Sequence, residues 1–350
     1  MKRIFILLYV SLAFAWTSCE KRLPLDIPVN DEWGITLNAI ASPDTTFRAY
    51  VTHAYLNSEA PEYKYETIIH GGVYMERDPF KHFYAGYVHP DQPYNDSNYE
   101  IIKEAILADA KVDLTVNGKT TYPMTYDDST FCFQCNYTPA IGDQLEVKVS
   151  SAPGKQTIAH TQVPQPQKLE ILDVKLENGE MPDWLNKYIY KGHVRMKLRL
   201  HDPSGEKNYY RLRVRSIMTE IRDSLYSAFD IYQSSDPIFR DERLVSDWGA
   251  YEAYFSDVFD DKMINGKQHE FDVVTYALHN PNKKLESIIY VSLQSITEDY
   301  YLYLKSLQLY RISTINTYGE PVYIHTNNEG GWGMLGALSG EVHRIEIPNE

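Results

Sequence analysis

Two cysteines, Cys132 and Cys135, have the CxxC spacing that can serve redox catalysis, metal binding or a local disulfide. Redox pairs sit at a helix amino terminus, which lowers the thiol pKa, whereas Phe131, Phe133 and Tyr137 here are typical of a strand. There is no second CxxC and no nearby histidine, so a zinc site would lack half of its ligands. Two small buried residues or a local disulfide are favoured, and a disulfide would need a bulge or turn because strand residues i and i+3 face opposite ways.

The segment "SDVFDDKMINGK" contains Asp257, Asp260, Asp261 and Asn265. Clustered carboxylates can bind calcium. The spacing of Asp, Asp, Gly and Glu in an EF-hand loop is absent here. A solvated acidic loop is therefore the favoured interpretation, with a calcium site as the alternative.

The most unusual charge pattern lies in two strands that the sequence predicts as one long hairpin, 194–215, turning at "HDPSGEKN". One face of this hairpin carries six basic residues: Arg195, Lys197, Arg199, Arg211, Arg213 and Arg215. Like charges on neighbouring strands should repel one another. Either neighbouring segments supply acids and form a salt-bridged wall, or the face docks an anionic partner such as lipid phosphates or an acidic protein surface.

No enzymatic motif is present: the sequence lacks a GxSxG nucleophile elbow, an HExxH pair and a P-loop. His70, His82 and His89 are scattered through a Tyr-rich segment. Two acids of a glycosidase can converge from anywhere in a chain, so that activity stays an alternative. We predict a protein that is not an enzyme and that uses no cofactor and no metal.

The Tyr-rich segment, "YVHPDQPYNDSNY" with its neighbours, includes Tyr84, Tyr87, Tyr94 and Tyr99. Loops of this composition suit adaptable recognition surfaces. The same composition also suits a loop that is merely soluble. Both interpretations stay open.

The start of the chain has the three parts of a secretion signal. Lys2 and Arg3 precede a short apolar run from Ile4 to Trp16, and small residues lead to Cys19. A lipoprotein signal needs a cysteine directly after the cut, because its thiol takes the diacylglycerol. We therefore predict a signal peptide over 1–18, lipidation (palmitate) at Cys19 and a tether over 19–31, with several acyl chains giving stable anchoring. A plain secreted protein and an uncleaved anchor are the alternatives.

Composition limits the partners. The 350 residues carry a formal charge of −14, so binding to nucleic acid through the overall field is not expected. After the first run there is no stretch of 18 apolar residues, so no second membrane span is expected. With 43% hydrophobic residues the chain can build two cores of ordinary size.

Hydrophobic residues mostly alternate, which predicts a mostly β fold. Asn117-Gly118 between alternating runs predicts a hairpin. Pro164 and Pro166 predict a linker, so we expect an immunoglobulin-like β-sandwich over 32–164 and a larger antiparallel β domain over 165–350. Thr297 can cap a helix near 298–312 that packs on the second domain, and "EPVYIHTN" and "EVHRIEI" are predicted as strands around a glycine-rich turn.

Seven segments follow one another in an order that resembles one protein family: "LNAIASPD", "DAKVDLTVNGK", "TQVP", "DPSGEKNYYRLRV", "SSDPIF", "VSLQSITEDYYLYLKSL" and "GEPVYIHTNNEGGWGMLGALS". The chain is similar, from residue 20 to residue 345, to a Bacteroidota cell-envelope lipoprotein family, the domain of unknown function numbered 4249. Trp332 stands where a smaller apolar residue is expected, and the segment 64–99 is less family-like.

The resemblance implies a lipoprotein frequently encoded beside a TonB-dependent outer-membrane receptor, with no catalytic residues. The mixed charges at Glu20 and Lys21 resemble the export signals that send such lipoproteins to the cell surface. We therefore expect a lipid-anchored outer-membrane protein that binds a ligand, or serves as an accessory, in TonB-dependent nutrient uptake. The alternative is an adhesin for host or matrix protein that uses the Tyr-rich loop.

Overall fold

The protein is built mainly of β-strands, as the alternating sequence predicts, with one α-helix among the residues that the structure describes. These residues, in a computed structural model, are 34–54, 77–78, 82–83, 106–152, 154–178, 190–218, 227–229, 232–244, 255–278, 287–315 and 322–347. The predicted signal peptide, Cys19, the tether, His70, His89 and the Tyr-rich loop at Tyr84, Tyr87, Tyr94 and Tyr99 lie outside the described residues. No described helix is both long and apolar enough to cross a membrane.

The strands are numbered in chain order. They are β1 (Gly34–Ala41), β2 (Arg48–Ala54), β3 (Arg77–Asp78), β4 (His82–Phe83), β5 (Lys111–Val116), β6 (Thr120–Asp127), β7 (Cys132–Gln134), β8 (Gln144–Ser151), β9 (Lys155–Gln162), β10 (Leu169–Glu177), β11 (Tyr190–His201), β12 (Tyr209–Met218), β13 (Ser227–Phe229), β14 (Val258–Asp260), β15 (Gln268–Leu278), β16 (Ser287–Ile296) and β17 (Trp332–Ile347). The helix α1 spans Glu298–Ile315, and a 3-10 turn spans Pro237–Phe239.

Most strands belong to one long sheet with the order β13-β12-β16-β17-β1-β2-β7-β6-β5-β8-β9, and β14 pairs with β12 beside it. A second sheet has the order β10-β11-β15, and β3 and β4 form a pair. Strand β17 pairs in parallel with β1 over Trp332–Ala337 and antiparallel with β16 over Leu338–Ile347. The domain division near residue 165 stays a prediction. Strand β17 pairs with β1, which precedes residue 165, and with β16, which follows it.

Three apolar clusters form the core. The first lies inside the β-sandwich-like part, because β1, β5 and β8 turn alternate residues to one another: Ile35, Leu37, Ala39, Val112, Leu114, Val116, Leu145, Val147 and Val149. The second fills the space between the long sheet and the three-stranded sheet, with Val194, Met196, Leu198, Leu200, Leu212, Val214, Val291 and Leu293 among its members. Burial of one such side chain stabilises a fold by about 1.5–3 kcal/mol.

The third cluster packs helix α1 against the sheet. Tyr300 is buried beside Met334 and Leu338. A β-carbon at Gly336 would lie 2.9 Å from that of Tyr300, so the helix approaches the strand closely because this position has no side chain. The backbone oxygen of Thr297 accepts from the Tyr301 amide at 2.9 Å, whereas its hydroxyl accepts from a β17 amide rather than capping the helix.

The hairpin predicted at Asn117-Gly118 is confirmed between β5 and β6. Both turn residues have positive φ, 53° and 62°, as a tight hairpin turn requires. The long hairpin predicted at 194–215 is wrong. Strand β11 pairs with β10 and β15, whereas β12 pairs with β16, so the chain crosses from one sheet to the other between them. The alternating pattern fits both arrangements, because in each the apolar faces of the two strands share one core.

The strand predicted for "EPVYIHTN" is wrong over the described residues 322–327, which form no ladder. Side chains take the place of ladder partners there: Ser306 accepts from the His325 amide at 2.9 Å, and Thr326 accepts from the Asn328 amide at 3.3 Å. The glycine-rich turn is likewise shorter than predicted, since β17 already begins at Trp332.

Candidate functional site

The basic residues of β11 form a salt-bridged face with acids of both neighbouring strands. Arg195 pairs with Glu177 (3.1 Å), Lys197 with Glu270 (2.7 Å), and Arg199 with Glu170 (3.2 Å) and Glu270 (2.5 Å). A hydrogen bond from Lys168 is the largest influence that lowers the pKa of Glu170 to about 2, and hydrogen bonds from Lys197 and then Arg199 lower that of Glu270 to about 2. Of the two interpretations of the basic pattern, the salt-bridged wall describes the basic residues of β11.

The basic residues of β12 lie on the other sheet. The Arg211 guanidinium is 2.8 Å from Oδ2 of Asp257, and Oδ1 of the same carboxylate accepts from the Gln308 side chain at 2.9 Å. Arg213 and Arg215 follow at alternate positions of the strand. Because the apolar faces of β11 and β12 meet in one core, their basic faces point away from each other, and the six residues do not share one face. An anionic partner for either set stays a prediction.

The acids of the segment 257–265, which includes β14, are used in contacts within the protein. Asp260 pairs with Lys262 at 2.7 Å, and Asp261 accepts from the Asn208 backbone at 2.9 Å and the Asn265 side chain at 3.1 Å. Within the described ranges, no group of three or more His, Cys, Asp or Glu side chains is placed to hold a metal ion. Asp261 is only 2% exposed, so the prediction of a solvated acidic loop is wrong for this residue. A calcium site stays an untested alternative.

The two cysteines of the CxxC motif are free thiols in the structure. Cys132 is buried in β7, and its sulfur lies 3.2 Å from the Thr130 hydroxyl. Burial is the largest influence that raises the pKa of both thiols, which disfavours the nucleophilic thiolate. Phe131 has a φ of 55°, so a turn does precede the pair. The geometry corresponds to two small packed residues.

The structure contains a buried ion pair under helix α1 that the sequence did not predict. Lys305 and Asp241 are only 7% and 8% exposed, and their charged atoms are 3.1 Å apart. The Lys305 ammonium also donates to the Ser256 hydroxyl at 2.8 Å. Its helical spacing from Tyr301, four residues earlier, is the signal that could have indicated an inward lysine.

Burial is the largest influence that lowers the pKa of Lys305. Burial also acts to raise the pKa of Asp241, but a hydrogen bond from Arg243 and the charge of Lys305 outweigh it, and this pKa lies well below its ordinary value. A lysine beside a serine hydroxyl can activate a nucleophile. Ser256 is 1% exposed, so a substrate could not reach it without rearrangement, and the contacts serve to hold the helix on the sheet.

The asparagines of the C-terminal motif connect segments that are distant in sequence. The Asn327 side chain donates to the Leu335 carbonyl and accepts from the Leu335 amide, each at 2.9 Å. The Asn328 side chain donates to the carbonyl oxygens of Leu37 and Trp332, the former at 2.8 Å. These bonds fix where β17 begins against β1.

Two exposed aromatic residues lie at this junction. Trp332 is 51% exposed and Tyr323 is 66% exposed, and their ring centroids are 6.4 Å apart with an interplanar angle of 56°. The composition of the motif did not predict this pair, although Trp332 departs from the small apolar residue expected between the glycines. An exposed pair of large aromatic rings is a candidate contact surface for a partner.

Comparison with known proteins agrees with the resemblance inferred from the sequence. Residues 22–344 match the family model described as Domain of unknown function (DUF4249). The match includes every strand from β1 to β16, helix α1 and most of β17. No curated protein matches the chain. The chain therefore belongs to the DUF4249 family, as its ordered motifs predict.

Proposed function

We propose that this protein is a lipid-anchored lipoprotein of the outer membrane that binds a ligand, or serves as an accessory subunit, for a TonB-dependent receptor. The observation that carries the proposal is Cys19, at the end of a segment with the composition of a secretion signal. The first strand of the fold starts at Gly34, so only the short segment 20–33 separates the predicted lipid anchor from the β structure.

Binding rather than catalysis is favoured by how the charged side chains are used. The basic and acidic groups of β10, β11 and β15 pair with one another, and the buried Lys305 is held between Asp241 and Ser256. Such groups stabilise a scaffold. A scaffold of this kind can present a surface to a partner, and the family resemblance implies a TonB-dependent receptor as that partner.

Lipidation is tested in cells that produce the tagged protein and are fed an alkyne-bearing palmitate. The alkyne label is then measured on the purified chain. We expect label and membrane association in the wild type, and the loss of both in Cys19→Ala, because the thiol is the proposed attachment point. A matched control is Cys135→Ala, which removes a thiol elsewhere and should keep the label. Unlabelled wild-type protein in the soluble fraction would contradict the proposal.

A further inference from the structure

Tyr323 and Trp332 form an exposed aromatic pair at the start of β17. We infer that both rings rest in the lipid–water interface of the membrane and set the orientation of the β structure above it. The inference rests on the proposed lipidation at Cys19, which brings the chain to a membrane. The partner that the two rings contact is a bilayer surface, at the level of the lipid headgroups.

The chemistry of the two rings suits that level. Tyr and Trp have an apolar ring with one polar group, and they are enriched where membrane meets water. Both side chains are more than half exposed, and their rings lie 6.4 Å apart. Thr36 and the exposed Glu329 lie close to Trp332 in strand register or sequence, so the surroundings suit headgroups rather than hydrocarbon.

The backbone at Trp332 is held in place, so the ring is attached at a fixed point of the sheet edge. A β-carbon at Gly331 would lie 2.7 Å from the Ile35 carbonyl oxygen, and one at Gly333, where φ is 93°, would overlap the Leu37 carbonyl oxygen. The Asn328 side chain binds the carbonyl oxygen of Trp332 itself. Because the backbone is already ordered, only the freedom of the side chain is lost when the ring meets a partner.

The position of the pair in the fold indicates which partner. Trp332 pairs with Thr36 in a parallel ladder, so both strands start at the same edge of the sheet. That edge is also where the chain arrives from Cys19. Fifteen residues span at most about 50 Å when extended, and about 20 Å as a flexible coil. The length of this segment therefore limits the distance between Gly34 and the proposed lipid anchor to about 50 Å.

Two other exposed apolar side chains of the described residues, Val342 and Met263, do not share this location. Val342 is 56% exposed, but it pairs with Ser292 in the second half of β17, away from the start of β1. Met263 is 57% exposed and lies in the loop after β14. The rings of Tyr323 and Trp332, at the sheet edge where β1 starts, are thus the side chains that we expect to contact the membrane.

The test uses the full chain made in a host that processes lipoproteins, purified and reconstituted into vesicles of phosphatidylethanolamine and phosphatidylglycerol. Brominated acyl chains in these lipids quench tryptophan fluorescence on contact. We expect quenching of the wild type, loss of a large part of it in Trp332→Phe, and reduced quenching in Tyr323→Ser, which leaves the tryptophan in place. Tyr310→Ser, at an exposed tyrosine near the end of α1, is the matched control and should quench like the wild type.

The mass of the amino-terminal peptide, read on the same samples, separates this inference from the proposed function. An acylated chain whose quenching is identical in Trp332→Phe overturns the inference and leaves lipidation standing. An unacylated chain that still shows quenching dependent on Trp332 overturns the lipidation and leaves the interfacial contact standing. A Trp332 signal that responds to soluble oligosaccharides or proteins, and not to lipid, assigns the rings to a soluble partner and also overturns the inference.

Discussion

The side-chain amide of Asn328 donates a hydrogen bond to the carbonyl oxygen of Leu37, 2.8 Å away and 291 positions earlier in the chain. A second bond from the same amide nitrogen reaches Trp332, the first residue of β17. One buried side chain thereby sets the parallel register of β1 and β17, the two strands that join the sandwich-like part to the rest of the long sheet.

Replacing Asn328 should therefore destabilise the whole fold. Asn328→Ala leaves two carbonyl oxygens without this donor, and we expect a loss of about 1–3 kcal/mol in the free energy of unfolding. Asn328→Asp should cost more, because it sets a carboxylate against the same oxygens. Urea unfolding followed by circular dichroism measures both, with the exposed turn variant Lys119→Ala as control. An Asp variant as stable as the wild type would refute this assignment of the bond.

Gly333 should not tolerate a side chain. Gly333→Ala combines a positive φ, which costs a non-glycine residue about 1–2 kcal/mol, with overlap of its β-carbon and the Leu37 carbonyl oxygen. The matched control is Gly118→Ala, where φ is also positive but nothing lies within 4 Å. Thermal unfolding should show a clearly larger loss at Gly333. Equal losses in the two variants would mean that the close approach of β1 and β17 is not rigid.

The buried pair of Lys305 and Asp241 should behave as one unit. Asp241→Asn leaves the Lys305 ammonium buried without its carboxylate, and a loss of about 3–5 kcal/mol is expected. Replacing both, as Lys305→Met with Asp241→Leu, should recover part of that loss because no buried charge remains. Lys111→Met breaks an exposed pair with Asp113 and should cost less than about 1 kcal/mol. Additive effects of the two buried substitutions in equilibrium unfolding would argue against coupling.

Stability should fall in acid through the carboxylates of the salt-bridged face. The folded pKa values of Glu170 and Glu270 are about 2, below the ordinary value of 4.5, so the unfolded chain binds more protons between these pH values. Their contribution is fully present above pH 4.5 and is lost as the pH falls toward 2. In urea titrations across this range, Glu170→Gln with Glu270→Gln should show a shallower fall than the wild type. Glu242→Gln, an exposed acid elsewhere, should keep the wild-type slope.

Both thiols of the CxxC motif should stay reduced and react slowly. Burial raises the pKa of Cys132 and of Cys135, so little thiolate is present at neutral pH. Alkylation of the purified protein without reductant should be slow in the native state and should label both cysteines once the chain is unfolded. Mass spectrometry reads the result directly. A peptide that lacks two hydrogens and takes no label would show a local disulfide instead.

Local features of the fold were predictable from the sequence because local chemistry determines them. Asn117-Gly118 specifies its hairpin through two residues that accept positive φ, and Glu298 and Asp299 in the first turn favour the start of helix α1. Pairing between distant segments was not predictable in the same way. The alternating residues of β11 and β12 fit a hairpin as well as two facing sheets, since both arrangements bury the same side chains.

The candidate contact surface was harder to predict than the fold. Trp332 is visible in the sequence as a departure from the family pattern, but its exposure depends on the parallel pairing with Thr36, which joins segments almost 300 residues apart. The Lys305–Asp241 pair also depends on tertiary packing of the helix. Helical spacing could place Lys305 on the inward face of α1, but no fixed spacing in the sequence indicates that Asp241 is its partner.

The most direct test of the central claim is purification of the tagged full chain from gently solubilised membranes, with Cys19→Ala as the control, followed by identification of co-purifying proteins. We predict a TonB-dependent receptor in fixed proportion to the wild-type protein, and its loss from the Cys19→Ala sample. If the protein is purified from the membrane fraction without any partner, that result would contradict its role as a receptor accessory and would favour adhesion.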